Sequence, residues 1–318
     1  MGGSIKRTIQ ALQRPFLTAL LICLCLSGCG GAGGGSVDKG PSPEGGQLDK
    51  GGFKPAAFAG VSFNADSAEG NGEAQVDLSH TAEGYIGVLV NTDARVKLQV
   101  FKDDSSYVYD VPLQEPQFFP LQCGDGYYTF KVMKNVEGNK YYELYGCGAE
   151  VALNTEFEPF LHPNQYANYA EDSECVKMAA SMAEKAQSEE DFVLRVYDYI
   201  CGNVSYDRQK AATVESGYIP VPDEILAGGQ GICFDYASLA ASMLRSQGIP
   251  TKIVFGYVAP NDLYHAWNMF YTKESGWTSV EFTVNENDWS RVDMTFAANG
   301  ADGEFIGDGS NYTDVYYY

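Results

Sequence analysis

The sequence predicts an α+β protein in which a small β-sandwich is followed by helices and then by further strands. Three observations carry this reading. Residues 53–155 hold short runs rich in aromatic and β-branched side chains, separated by turn residues. Residues 174–247 place apolar positions at helical spacing between capping signals. Tyr264 to Asn268 then opens an alternating, strand-like segment.

Ahead of the sandwich lies a processing segment. Lys6, Arg7 and Arg14 form a basic start, and Phe16 to Leu26 is an apolar run too short to span a bilayer as a mature helix. Leu26-Ser27-Gly28-Cys29 resembles a bacterial lipobox. That resemblance implies a signal peptide over residues 1–28, cleavage before Cys29 and lipidation of its thiol. Acyl chains burying methylenes at about 0.8 kcal/mol each would anchor the chain to the extracytoplasmic face of a bacterial cell membrane. Residues 29–52 read as a flexible tether. Positions 30–52 carry ten glycines and no apolar periodicity, which gives a reach on the order of 25 Å.

The chain has 42 acidic and 21 basic residues and a net charge of −21. Such acidity argues against nucleic acid, and against an anionic membrane surface, as partners.

Within 53–155, the strand-like runs are Tyr85 to Val90, Val96 to Phe101, Tyr127 to Met133 and Lys140 to Tyr145. Turn residues at 91–93, 103–106, 124–126 and 135–139 separate them, a spacing that fits a β-sandwich. No cluster of ionisable residues there converges on a site, so this part reads as a spacer or binding module.

The second domain is placed at 160–318. Val176, Ala179, Ala180, Ala183 and Ala186 recur at helical spacing. Ser188 reads as the N-cap of a second helix, with acids in its first turn and Phe192, Val193, Val196 and Ile200 along its apolar face. Two helices joined near Ser188 should run antiparallel. Cys175 and Cys201 lie 13 residues to either side of it, which predicts a Cys175–Cys201 disulfide. Cys123 and Cys147 flank the 135–139 turn less symmetrically and form the second predicted pair. Of eight cysteines, Cys23 and Cys25 leave with the signal and Cys29 takes lipid, so pairing these four leaves Cys233 as the single thiol. The tail from Asn299 to Tyr318 is rich in Gly, Asp and Tyr, and its closing tyrosines are expected to form an edge strand.

Cys233 follows a Gly-rich turn, Gly228-Gly-Gln-Gly-Ile-Cys233, and heads a helix whose apolar stripe continues through Ala237, Ala240 and Leu244. A thiol in a first helical turn feels the positive end of the dipole. With an imidazole nearby its pKa is expected to fall from about 8.5 towards 3.5–7.5. The Cys233 backbone N–H can point at a developing oxyanion. His265 shares a strand face with Trp267 and is a candidate acid–base partner. Asp293 or Glu281 could orient its second nitrogen. With three histidines, His80, His162 and His265, a zinc site is not expected, nor is any other cofactor.

Residues 229–250, Tyr264-His-Ala-Trp-Asn268 and Trp289-Ser-Arg-Val-Asp-Met-Thr-Phe296 together resemble the transglutaminase-like superfamily core. Asn203-Val-Ser-Tyr-Asp207 is similar to a helix-ending motif of that core. The likeness spans about residues 165–298. It implies a papain-like α+β fold with Cys233 as nucleophile, His265 as base and acid, and Asp293 in place of Glu281 as the orienting group. Gln230, Tyr206 and Trp267 become candidate substrate or oxyanion contacts. Ile232-Cys233-Phe234 departs from the Gln-Cys-Trp of eukaryotic transglutaminases, so calcium-dependent crosslinking is not implied. The expected substrates are amide bonds in peptides, proteins or cell-wall peptide. The expected chemistry is hydrolysis or acyl transfer through a thioester, with hydrolysis favoured. The competing reading is a catalytically silent surface module that binds protein or glycan.

Overall fold

The structure, a computed structural model, describes residues 52–258, 263–280 and 312–318. The signal segment, Cys29, nearly all of the tether, Glu281 and Asp293 lie outside the described residues. The described residues belong to one compact unit.

Eight strands come first: β1 (Glu69–Gly70), β2 (Ala74–Asp77), β3 (Tyr85–Val90), β4 (Val96–Lys102), β5 (Ser105–Val111), β6 (Gln117–Pro120), β7 (Gly126–Glu137) and β8 (Lys140–Val151). They form two antiparallel sheets of order β1-β2-β3-β6 and β5-β4-β7-β8. Alternation explains the packing of β4, where Val96, Leu98 and Val100 are buried between partly exposed Lys97 and Gln99. Val76, Ile86 and Val88 from one sheet and Leu98, Phe130 and Val132 from the other belong to one core. The strand-like runs read from sequence fall within β3, β4, β7 and β8. Strands β1, β2, β5 and β6 escaped that reading.

The predicted Cys123–Cys147 bridge is absent, as is every other disulfide among the described residues. The Cys123 thiol hydrogen-bonds to Ser105 and Tyr107 at β5, whereas Cys147 sits on β8 opposite Phe130. Strands β5 and β8 are opposite edges of one sheet. Flanking the same hairpin turn did not bring the two sulfurs to the same strand.

The helical part contains α1 (Glu174–Ala183), α2 (Glu189–Asn203), β9 (Ser205–Tyr206), α3 (Arg208–Thr213), α4 (Pro222–Gly228), β10 (Gln230–Gly231) and α5 (Cys233–Arg245). Ser188 caps α2 as expected, its Oγ accepting from the Asp191 N–H at 3.1 Å. The Cys175–Cys201 pairing fails because the two thiols engage different neighbours. Cys175 hydrogen-bonds to Asp223 in α4, whose carboxylate also accepts from the Glu174 and Cys175 N–H groups. Cys201 lies near Tyr197 and Tyr236.

Helix α5 runs through the middle of this part, and every residue from Asp235 to Arg245 is buried. Behind it stand β11 (Thr251–Val258), β12 (Leu263–Thr272), β13 (Gly276–Val280) and β14 (Tyr312–Tyr317), in the antiparallel order β13-β12-β11-β14. The closing tyrosines thus form a strand, and its partner is β11. Arg245, 1% exposed, ends α5 by donating to the carbonyls of Thr251, His162 and Tyr318 at 2.8, 3.0 and 2.8 Å. The Tyr318 ring packs against Tyr107 and Tyr109 of β5 and against Tyr166 and Phe255. One aromatic cluster therefore joins the sandwich to the sheet behind α5.

Candidate active site

Two glycines shape the approach to Cys233. Gly229 ends α4 in the left-handed conformation, φ 58°, which costs a residue without a Cβ little. At Gly231 a Cβ would lie 2.6 Å from the Cβ of Asp235, so no side chain fits there. Between them, Gln230 and Gly231 pair in parallel with Ser205 and Tyr206. That pairing anchors the turn, and α5 begins at Cys233 directly after it.

Asp235 closes the first turn of α5. Its Oδ2 accepts from the Ile232 N–H at 2.8 Å, satisfying one of the donors that a helix start leaves open. The carboxylate is fully buried and has two further donors, Lys210 Nζ at 2.6 Å and Tyr218 OH at 2.5 Å. Lys210 Nζ also donates to the Tyr218 hydroxyl at 2.6 Å and lies 4.2 Å from the centre of its ring.

Strand β12, which carries His265, runs beside α5. Asn268 Nδ2 donates to the Ala237 carbonyl at 3.0 Å, tying β12 to α5 one turn beyond Cys233. The N–H of Ala266, the residue after His265, is a hydrogen-bond donor to the Cys233 sulfur. The Phe234 N–H converges on the same atom. Burial pushes the Cys233 thiol above its ordinary value, these N–H groups pull it down, and burial prevails. That direction runs against the lowered thiol expected from the helix terminus.

The remaining candidates divide. Tyr206 is near enough to Cys233 for the thiol to disfavour ionisation of its phenol, which burial already raises. Tyr264 has the same relation to Cys233 and is 52% exposed, so it stands at the rim. Gln230 is exposed on β10. Trp267 is buried, at 2% exposure. Sequence reasoning passed over Asp235, Lys210, Tyr218 and Tyr264. Asp235 had a signal, an acid two residues after the cysteine, but an acid in a first turn reads as an ordinary capping residue. Among the described residues, no three His, Cys, Asp or Glu side chains gather as metal ligands.

Residues 176–282 match the family model of the transglutaminase-like superfamily. Solved structures similar to this chain include a candidate cysteine protease from Cytophaga hutchinsonii, 17% identical over 65% of this chain and 70% of that one, with a TM-score of 0.35. The periplasmic domain of TgpA from Pseudomonas aeruginosa is 14% identical over 69% and 72%, with a TM-score of 0.31. Legionella pneumophila LapG is 16% identical over 45% and 81%, with a TM-score of 0.31. A comparison with curated proteins finds no match.

Proposed function

We propose, from the match of residues 176–282 to the transglutaminase-like superfamily, that this chain is a lipid-anchored cell-surface cysteine hydrolase of amide bonds in peptides, proteins or cell-wall peptide. The supporting observation is the Cys233 sulfur at the head of α5, held against the N–H that follows His265. Cys233 attacks the amide carbonyl while His265 takes its proton, forming a carbon–sulfur bond and a tetrahedral oxyanion. Backbone N–H groups at the α5 start offer the oxyanion hydrogen bonds. Collapse breaks the carbon–nitrogen bond, and His265 returns the proton to the leaving amine. Water, deprotonated by His265, then attacks the thioester, releasing the acid and restoring the thiol. Asp293 orients the imidazole in this scheme.

A thiol that partial burial holds toward its neutral form depends on a proton acceptor. That requirement distinguishes this reading from a silent binding module, which needs no working base. The test is incubation of the purified chain with a peptide library, with and without a labelled amine, followed by mass spectrometry. Cleaved acids that dominate in both conditions support hydrolysis, and amine-bearing products would make the chain an acyltransferase. No product in either condition, with peptides retained on the protein, favours the binding module.

A further inference from the structure

The cluster formed by buried Asp235 and half-buried Lys210 and Tyr218 is not used in the acyl-transfer steps, yet its carboxylate sits in the same helical turn as the nucleophile. Asp235 is two residues from Cys233 on the same helix, and three donors from three segments meet on its carboxylate. The Ile232 N–H belongs to the turn before the helix, Lys210 to α3, and Tyr218 to the segment between α3 and α4. The carboxylate has no exposure, so losing a donor would strand a buried charge. Gly231 leaves the space that the Asp235 side chain occupies, since a Cβ there would lie 2.6 Å from the Asp235 Cβ.

We propose that Asp235 is a positioning residue for the reaction, held by Lys210 and Tyr218 so that it fixes the first turn of α5 and the charge balance behind the Cys233 sulfur. This inference rests on the reading of Cys233 as a nucleophile and adds a control on it. The negative charge of Asp235 disfavours a thiolate at Cys233. Lys210 neutralises that charge at 2.6 Å while still leaving the carboxylate to hold the helix start. Among the described residues, the other charged or titratable groups at this corner include Tyr206 and Arg208, Tyr236, Tyr264 on β12, and Glu224 beside Tyr218. Lys210 is the cation in direct contact with the carboxylate.

The test is the pH dependence of iodoacetamide labelling at Cys233 in the full-length chain, read by peptide mass spectrometry. Lys210→Met uncovers the carboxylate, and labelling at neutral pH should slow by about fivefold, the scale of one partly screened charge. Asp235→Asn removes the charge and leaves Lys210 in place, so the labelling profile should move the opposite way, to lower pH. Tyr218→Phe, which keeps the ring and both charges, should fall between wild type and Lys210→Met and guards against misfolding of the charge variants. Opposite shifts in the two charge variants support the inference, because mere loosening of the helix would move both in one direction. Superimposable profiles in all four folded chains overturn it. If Cys233 stays unlabelled at every pH while the denatured chain is labelled, the nucleophile reading fails and this inference falls with it.

Discussion

At Cys233 the opposing contributions are burial, which favours the neutral thiol, and the N–H groups of Ala266 and Phe234, which favour the thiolate. Burial prevails, which makes reaction depend on a base and favours the neutral thiol. Its alkylation rate should therefore climb through neutral pH. A plateau already reached below about pH 6 would instead mean a resting thiolate–imidazolium pair. Cys233→Ala should abolish turnover with an unchanged circular dichroism spectrum. His265→Ala should cost more turnover than Asp293→Asn, since one removes the base and the other its orienting partner. Equal rates for wild type and Asp293→Asn would transfer the orienting role to Glu281. The helix start at Cys233 and the strand that carries His265 were legible in the sequence because each stands in a distinctive local setting, a glycine turn entering a helix and an alternating strand start. Lys210 and Tyr218 were not. They meet Asp235 across 25 and 17 positions of chain, and no local pattern records that meeting.

Helix α5 is the element on which the site depends, and it is fixed at both ends. Asp235 holds its start, and Arg245 holds its end against three carbonyls drawn from distant segments. Burial lowers the Arg245 guanidinium to about 10, which keeps it charged at neutral pH. Arg245→Met should destabilise the fold by about 3 kcal/mol or more, because it strands buried carbonyls as well as removing charge-assisted bonds. Chemical denaturation measures this, and a loss under about 1 kcal/mol would show that water replaces the guanidinium there. The stripe of Ala237, Ala240 and Leu244 was readable as helical periodicity, and all three are 0% exposed. The start of α5 also followed from sequence, through the Gly-rich turn before it. The cysteine pairings were not readable in this way. Symmetry about Ser188 fixes how far along a hairpin two residues lie, but not which way each helix turns its side chains. Strand β5 escaped because it opens on Ser105 and Ser106, directly after a turn at Asp103 with φ 50°.

Across the whole molecule, an aromatic cluster centred on Tyr318 joins the N-terminal sheets to the sheet that carries His265. Strand β14 brings it there by pairing with β11. Tyr318→Ala should lower the thermal midpoint by several degrees, as loss of a large buried aromatic does. An unchanged midpoint would mean the cluster adds nothing to stability. The proposed anchor is tested separately: Cys29→Ser should release the protein from membranes on fractionation, and undiminished retention would refute lipidation there. Everything functional converges on whether one sulfur forms an acyl bond. The most direct measurement is an acid-quenched digest of the chain after exposure to the peptide library, weighed for an acyl group on the Cys233 peptide. The account predicts an adduct that hydroxylamine removes and that neither Cys233→Ala nor His265→Ala accumulates. Peptide products undiminished in Cys233→Ala would contradict it.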